Sequence, residues 1–275
     1  VQLTIMTLLG FAMLAWGQLT ARKPVLKLSL ILNRQFGSVV VMGLVLGMVL
    51  YGTTYVIPQF LAIIADYNAL QTGWIIFYMG LPALLLMPIV PFLIPRLDIR
   101  IAVGGGLAII AWSCWISAGL TAETAGAHFI PGQLMRGVGI VFCMLFLNQA
   151  TVASVTKEDA GDASGIFNAA RNLGGSFALA GLATVQDQRS WLHSRRMEES
   201  LNANGWDVQS YIGGLQQSLG NLEAAFRTLA GTIQREAFVM SYNDIFFGMT
   251  IITALSVPLV LFLRPLPKGM SLAMH

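Results

Sequence analysis

Long apolar stretches alternate with short polar connections along most of the chain. Each stretch is long enough for an α-helix to cross the roughly 30 Å hydrocarbon core of a bilayer. Their interiors contain no Asp or Glu, apart from Asp244 near the start of the last stretch. The pattern predicts an all-α membrane protein with seven transmembrane helices. Their approximate ranges are 2–19, 36–57, 70–94, 101–120, 130–155, 163–186 and 242–263.

The composition supports this class. Of the 275 residues, 56% are hydrophobic and only 11% are charged, whereas soluble domains are about 25% charged. The net charge of +3 does not indicate nucleic-acid binding, because the basic residues lie in short connections between apolar stretches. Cys114 and Cys143 each lie inside an apolar stretch, which favours buried free thiols over a disulfide or a metal site.

Basic residues in the connections predict the orientation of the protein. The connections at 20–35 and 95–100 and the tail after 263 contain several Lys and Arg, whereas 58–69 and 121–129 contain none. By the positive-inside rule, the basic connections and the C-terminus are cytoplasmic, and Val1 is on the outside. A chain that starts outside without a signal sequence is expected to be preceded by further spans.

The segment 188–240 is too polar to cross the bilayer and is expected on the outer surface. Apolar residues recur at helical spacing over 208–219 and 222–233, which predicts a helical hairpin. Asp207 and Asn221 are predicted to cap its two helices. The sixth span is expected to continue outward as a polar helix through Trp191 and Arg195.

The sixth stretch contains the strongest candidate for function, Arg171. A charge facing lipid at mid-depth costs ~2.5–3.5 kcal/mol, so this side chain is predicted to face protein or water. Asn168 and Asn172 lie on the same helical face. The alternative is that Arg171 snorkels or binds carbonyls of neighbouring helices. A second face carries the small residues 170, 174 and 178 at the spacing that lets membrane helices approach closely.

Other polar residues within the spans are weaker candidates. Arg136, near the outer end of the fifth span, is either a cavity or gate group or a snorkelling and packing residue. Asn148 and Gln149 follow on the inner half of that span and can act as ligands or as hydrogen-bonding links between helices. In the second span, the aromatic-polar face that includes Tyr55 and Gln59 suits an amphipathic ligand or an interfacial aromatic belt.

Enzymatic signals are absent from the sequence. We find no HExxH, no GxSxG, no phosphate-binding Gly-rich loop and no spacing typical of haem or iron–sulfur ligands. The sequence therefore predicts no enzyme, no cofactor and no metal. Asp244, the acid nearest to a span interior, is predicted to cap the last helix.

Three stretches resemble a known family. GQLTARKPVLKLSLILNRQF (17–36), ASGIFNAARNLGGSFALA (163–180) and REAFVMSYNDIFF (235–247) are similar to the fourteen-span drug:proton antiporters of the major facilitator superfamily, EmrB/QacA type, in their C-terminal portion. The chain departs from the family at Phe146-Leu147, where Pro-Leu is common, which puts a kink at that point in doubt.

The resemblance implies a linker helix followed by the six-helix C-terminal bundle of a major facilitator fold. The corresponding division is 1–35 for the linker span and basic loop and 36–187 for the first five bundle helices. The outer helical loop would then be 188–240, and the last span and tail 241–275.

The function implied is proton-coupled multidrug efflux by alternating access across a bacterial inner membrane. The partners would be a small amphipathic substrate, protons, the bilayer, an N-terminal transporter half and a periplasmic adaptor, with no nucleic acid. Arg171, Asn168, Asn172, Arg136, Asn148, Gln149, Tyr55 and Gln59 would be cavity or gate residues. The alternatives are uptake or another solute within the same superfamily and, as a different class, a seven-span receptor.

Overall fold

A computed structural model of the chain describes residues 27–93, 96–201 and 205–263. It also describes five separate residues of the first predicted span, all helical: Met6, Gly10, Met13, Trp16 and Gly17. The rest of that span and the tail after 263 lie outside the described residues. The described part of the chain contains helices and connections and no strand, which confirms the all-α prediction.

The described residues form seven α-helices longer than one turn. They are α1 (Arg34–Ile63), α2 (Ala69–Leu86), α3 (Ile99–Ile116), α4 (Phe129–Ala153), α5 (Ala160–Ser200), α6 (Trp206–Leu219) and α7 (Leu222–Ser256). Short 3-10 helices cover Leu28–Leu32, Gly126–His128, Lys157–Asp159 and Val257–Phe262. Among the described residues, five segments are long and apolar enough to cross a membrane: α1, α2, α3, α4 with its preceding 3-10 turn, and α7 with the 3-10 helix that follows it. The predicted sixth span lies within α5, whose apolar run is interrupted by polar residues.

Side-chain caps fix where several helices begin. The Asn33 side chain accepts a hydrogen bond from the backbone N–H of Gln35 at the start of α1. Asn68 and Gln71 form a reciprocal capping box at the start of α2, and Asp98 caps α3. Each cap satisfies backbone donors that a helix start leaves without an intrahelical partner.

Proline breaks the third predicted span. Its main helix, α2, ends at Leu86, and a turn at 87–89 separates it from a one-turn helix at Val90–Leu93. Pro88 lies in this turn, where its missing N–H and its ring oppose continuation of the helix. Pro82 is tolerated inside α2.

Helices α1 to α5 and α7 form one bundle around a shared apolar core. We call the end at Arg34 the inner end and the end at Ile63 the outer end. Helix α1 packs most extensively on α5, α3 packs on α4, and α7 packs against both α5 and α3. At the outer end, the ring of Phe60 meets those of Phe129 and Tyr242 edge-on, with centroids 5.4 and 5.3 Å apart. Helix α2 is the least buried of the five apolar segments and contacts mainly α4.

Beyond the outer end, two helices continue past the apolar core. Helix α5 extends to Ser200, as predicted, and α7 begins at Leu222 and runs without a break into the last predicted span. Helix α6 packs on α7, which confirms the hairpin. The Asn221 cap is confirmed, since its side chain accepts from the N–H of Glu223. The Asp207 cap is wrong: α6 begins at Trp206, with Gly205 at the N-cap position.

Continuous helices also cross two of the predicted segment boundaries. Position 187/188 lies inside α5 and position 240/241 inside α7. The division into 36–187, 188–240 and 241–275 therefore remains a prediction of where the chain leaves the bilayer, because no helix ends at those points.

Candidate functional site

The crossing of α1 and α5 depends on glycine. A Cβ added to Gly47 would collide with the carbonyl oxygen of Arg171, and one added to Gly174 would collide with the carbonyl oxygen of Leu44. The two backbones are therefore in direct contact, and the predicted small-residue face of α5 is confirmed as a packing face. This contact fixes the height and rotation of Arg171 relative to α1.

Arg171 is half-buried and lacks a charged partner within the described ranges. One of its terminal nitrogens donates to the thioether sulfur of Met144 on α4, at 3.4 Å. Its Nε is buried and has no partner there, and no ion pair among the described residues includes Arg171. A guanidinium carries five N–H donors and a thioether is a weak acceptor. Arg171 therefore retains most of its capacity to bind an acceptor.

Asn172 links the Arg171 region to α1. The hydroxyl of Tyr51 donates to Asn172 Oδ1 at 3.3 Å. The Tyr51 ring lies against Gly175, where a Cβ would collide with it. Both Tyr51 and Asn172 are exposed. The aromatic-polar face predicted on α1 thus meets the polar face predicted on α5.

Asn168 and Asn148 lie on the exposed surfaces of α5 and α4. The Asn168 amide donates to the Ser164 carbonyl at 3.0 Å, and the Asn148 amide donates to the Met144 carbonyl at 2.7 Å. Met144 accepts from Arg171 as well, so α4 and α5 meet at this residue. Each side-chain amide nitrogen donates to a backbone carbonyl of its own helix, so the side-chain oxygen of each asparagine points away from that carbonyl.

Tyr55 and Gln59 occupy the outer part of α1. Tyr55 is exposed and Gln59 is half-buried. The side-chain oxygen of Gln59 is buried without a hydrogen-bond partner in the described part of the chain, and the same is true of Gln149 on α4. Within the described residues, the buried side-chain nitrogen or oxygen atoms without a partner belong to Gln59, Gln149, Arg171 and Arg136. All four are candidates that the sequence singled out.

Arg136 lies apart from the other candidates. It is fully buried, with 0% of its surface exposed, so it does not snorkel to an interface. Its terminal nitrogens donate to Gln133 Oε1 at 2.9 Å and to Ser117 Oγ at 3.4 Å. It is eight residues from Met144, about 12 Å along α4. Its partners are on α4 and in the turn that ends α3, so the structure groups Arg136 with a packing contact and not with Arg171.

We name the set Tyr51, Tyr55, Asn148, Asn168, Arg171 and Asn172 the polar face. It combines side chains from α1, α4 and α5, with aromatic rings beside amides and one guanidinium. Within the described ranges, no group of His, Cys, Asp and Glu is arranged to hold a metal ion. The polar face offers hydrogen bonds and ring contacts, which are means of binding and not of bond-breaking chemistry.

The outer end contains polar contacts that the sequence did not reveal. The Asn243 side chain accepts from the N–H of Leu120 at 2.8 Å and donates to its carbonyl at 2.9 Å. Arg235 donates to the carbonyls of Ile64 and Ala122, at 2.7 and 3.0 Å. These bonds attach α7 to the connection between α1 and α2 and to the connection between α3 and α4. They join residues more than 100 positions apart, for which the sequence carries no local signal.

The predicted N-cap role of Asp244 is wrong. Helix α7 begins at Leu222, so Asp244 lies deep inside the helix. Its carboxylate instead meets His193 Nε2 at 2.8 Å and Arg189 at 3.6 Å, both on the extension of α5. Asp244 thus connects the two helices that rise above the outer end.

Residues 3–179 match the Major Facilitator Superfamily. The chain belongs to this superfamily. Superfamily members are transporters and not enzymes, and the chain is accordingly a multi-pass membrane protein. The resemblance seen in the three sequence stretches is confirmed.

The chain is also similar to curated bacterial proteins. The colistin resistance protein EmrB of Acinetobacter baumannii is 27% identical over 249 residues, which cover 89% of this chain and 49% of that protein. The multidrug export protein EmrB of Escherichia coli is 25% identical over 266 residues, 96% of this chain and 52% of that protein. The fatty acid resistance protein FarB of Neisseria gonorrhoeae is 22% identical over 249 residues, with 90% and 49% covered. The chain spans about half the length of these relatives.

Proposed function

We propose that the chain forms the C-terminal half of a proton-coupled multidrug efflux permease that exports amphipathic compounds by alternating access. The polar face would turn toward a cavity shared with an N-terminal half. Superfamily membership and the names of the curated relatives support export. The observation that carries the proposal is Arg171, a half-buried cation whose Nε lacks a partner in the described part of the chain.

Unpartnered polar atoms are costly within a bilayer, because lipid offers no hydrogen bonds. A buried donor or acceptor without a partner costs ~1–3 kcal/mol. Gln59, Gln149 and Arg171 each contain one such atom, which has no hydrogen-bond partner among the described residues. A water-filled cavity, a substrate or a facing transporter half would supply the missing partners, and an opening to lipid would not.

The character of the polar face suits amphipathic substrates. Tyr51 and Tyr55 are 39% and 41% exposed and would contact the apolar part of a substrate. Arg171, Asn172 and the neighbouring amides would receive its polar groups. The glycine contact between α1 and α5 would let these two helices move together as the bundles rock.

Replacing Arg171 in the full-length protein tests the proposal. Charged hydrogen bonds are worth ~1.5–3 kcal/mol, so Arg171→Ala should lower dye efflux about 10- to 150-fold, while Arg171→Lys should retain part of it. Arg196→Ala is the control, since Arg196 is an exposed arginine on the outer extension of the same helix. Wild-type efflux by Arg171→Ala at equal membrane expression would exclude Arg171 from transport.

The direction and coupling of transport need a separate measurement. In inside-out vesicles, the proposed antiport predicts dye accumulation when the lumen is acidified and release when the proton gradient is collapsed. Accumulation that is insensitive to the gradient would refute proton coupling. Accumulation only in right-side-out vesicles would favour uptake.

We propose further that the basic connections and the C-terminus face the cytoplasm. The outer hairpin would then lie in the periplasm and contact an adaptor protein. An open apolar groove between α6 and α7, which includes Val208, Ile212, Phe226 and Leu229, supports this role. Deleting residues 204–231 in the full-length protein should abolish adaptor pull-down while the bundle still folds. Persistent pull-down would place the contact elsewhere.

A further inference from the structure

Two arginines contact the end of the 3-10 helix that follows α7, at the inner end of the bundle. Arg100, in the first turn of α3, donates from Nε to the carbonyl of Leu263 at 2.7 Å. The guanidinium of Arg34, at the start of α1, lies 4.4 Å from the ring centroid of Phe262. The guanidinium groups of Arg100 on α3 and Arg34 on α1 therefore contact two consecutive residues, Leu263 and Phe262.

Neither guanidinium is neutralised by an acidic side chain from the part of the chain that the structure describes. No ion pair within those ranges includes Arg34 or Arg100. Asp98, the acid nearest to Arg100 in sequence, accepts from the backbone N–H of Arg100 as the cap of α3. The terminal nitrogens of Arg100 therefore remain available to an anion from outside the bundle.

An open apolar groove of about 450 Å³ is lined in part by Arg100. It lies between the start of α3 and the 3-10 helix at Val257–Phe262, with Ile101 and Leu261 on its sides. These two side chains are 69% and 73% exposed. Gly104 also lines the groove, so a larger side chain at that position would extend into it. Among the described residues, Arg100 is the only charged one that lines it.

We propose that this groove binds an anionic phospholipid of the inner leaflet. The lipid phosphate would contact Arg100 and Arg34, and one acyl chain would lie along Ile101, Gly104 and Leu261. An arginine that lines an apolar groove matches an amphipathic anion. With the orientation proposed above, the groove lies in the cytoplasmic leaflet, which is rich in anionic lipid. An inorganic phosphate would satisfy the arginines but would leave the apolar walls uncovered.

The lipid groove is separate from the polar face. The groove is formed by α3 and the end of the chain's last span, whereas the polar face is formed by α1, α4 and α5. Lipid binding is measured without transport, so its outcome does not depend on the proposed efflux function.

Native mass spectrometry of the purified full-length protein tests the proposal. It measures the Kd for phosphatidylglycerol and for phosphatidylethanolamine that carries the same acyl chains. The wild type should prefer phosphatidylglycerol. A basic residue near the membrane surface contributes ~1 kcal/mol, so Arg100→Gln should raise the Kd for phosphatidylglycerol about fivefold, and Arg34→Gln combined with Arg100→Gln about 25-fold. Arg100→Lys should keep most of the affinity, because it keeps the charge.

Two glycine variants test the groove. Gly104→Leu should weaken binding of both lipids by occupying the groove. Gly104→Ala should change neither, because its Cβ would lie 3.7 Å from a Val260 methyl, an ordinary contact. Arg227→Gln, at the outer end, is the charge control. An unchanged lipid preference in Arg100→Gln, an equal loss in Arg100→Lys, or displacement of the lipid by millimolar inorganic phosphate would each overturn the proposal.

Discussion

Gly174→Ala is predicted to disrupt the crossing between α1 and α5. The added Cβ would overlap the backbone carbonyl of Leu44, which cannot rotate away as a flexible side chain can. Overpacking of this kind costs ~1–3 kcal/mol. The greater helix propensity of alanine offsets at most ~1 kcal/mol.

A second glycine of the same helix separates these two effects. A Cβ added to Gly181 would enter open space in the described part of the chain, so Gly181→Ala gains helix propensity without a collision. Gly105 on α3 is equally open and provides a control on a different helix. Because the propensity gain is common to these variants, the difference between Gly174→Ala and Gly181→Ala is the packing cost itself.

Thermal unfolding of the purified protein in detergent measures that difference. At about 2–4 °C per kcal/mol, Gly174→Ala should melt roughly 2–12 °C below Gly181→Ala, and Gly181→Ala should melt at or slightly above the wild type. Dye efflux should fall in Gly174→Ala even at a temperature where it remains folded, because Arg171 would shift relative to α1. A Tm for Gly174→Ala equal to that of Gly181→Ala would refute the close backbone contact.

Three further predictions concern separate parts of the bundle. Arg136→Ala should destabilise the protein by ~2–5 kcal/mol through the cavity it leaves, whereas Arg136→Met should cost less than half of that, as thermal unfolding of both variants would reveal. Asn243→Ala should cost up to ~1–3 kcal/mol for each backbone group of Leu120 left without a partner, and should speed proteolysis of the connection before α4; an unchanged cleavage rate would contradict this role. The hydrogen bond from Lys27 lowers the pKa of Asp159, and the same contact raises the pKa of Lys27. The Lys27–Asp159 ion pair should contribute fully to the stability of the fold between about pH 5 and 9. That contribution should be lost as pH falls through the lowered pKa of Asp159, and again as pH rises through the raised pKa of Lys27. The difference in Tm between the wild type and Asp159→Asn should therefore close at both extremes of pH.

Much of the fold follows from local features of the sequence. Helical periodicity and length located the long helices. The small residues at 170, 174 and 178 identified the packing face of α5, and Asn221 marked the start of α7. Each of these features acts through the residue's own backbone or its neighbours one helical turn away, so spacing along the chain is sufficient to detect it.

The candidate site was only partly accessible from sequence. The polar residues of α5 and α1 were identified, but the contact between Tyr51 and Asn172 depends on the relative height of two helices 121 positions apart. Arg136 was a weaker candidate than Arg171 in the sequence, but the sequence did not decide between a packing role and a cavity role for it. Their environments differ because α3 and α4 enclose Arg136, whereas the surface beside Arg171 stays partly open.

The sequence by itself determined the membrane class, the helices and the set of polar side chains placed within them. Tertiary structure decided which of those side chains found partners among the described residues. Asp244 pairs with His193 instead of capping a helix, fully buried Arg136 donates to Gln133 and Ser117, and half-buried Arg171 donates to the sulfur of Met144. The physical reason is that periodicity fixes the face on which a residue lies, whereas hydrogen bonding and burial depend on which other helix meets that face.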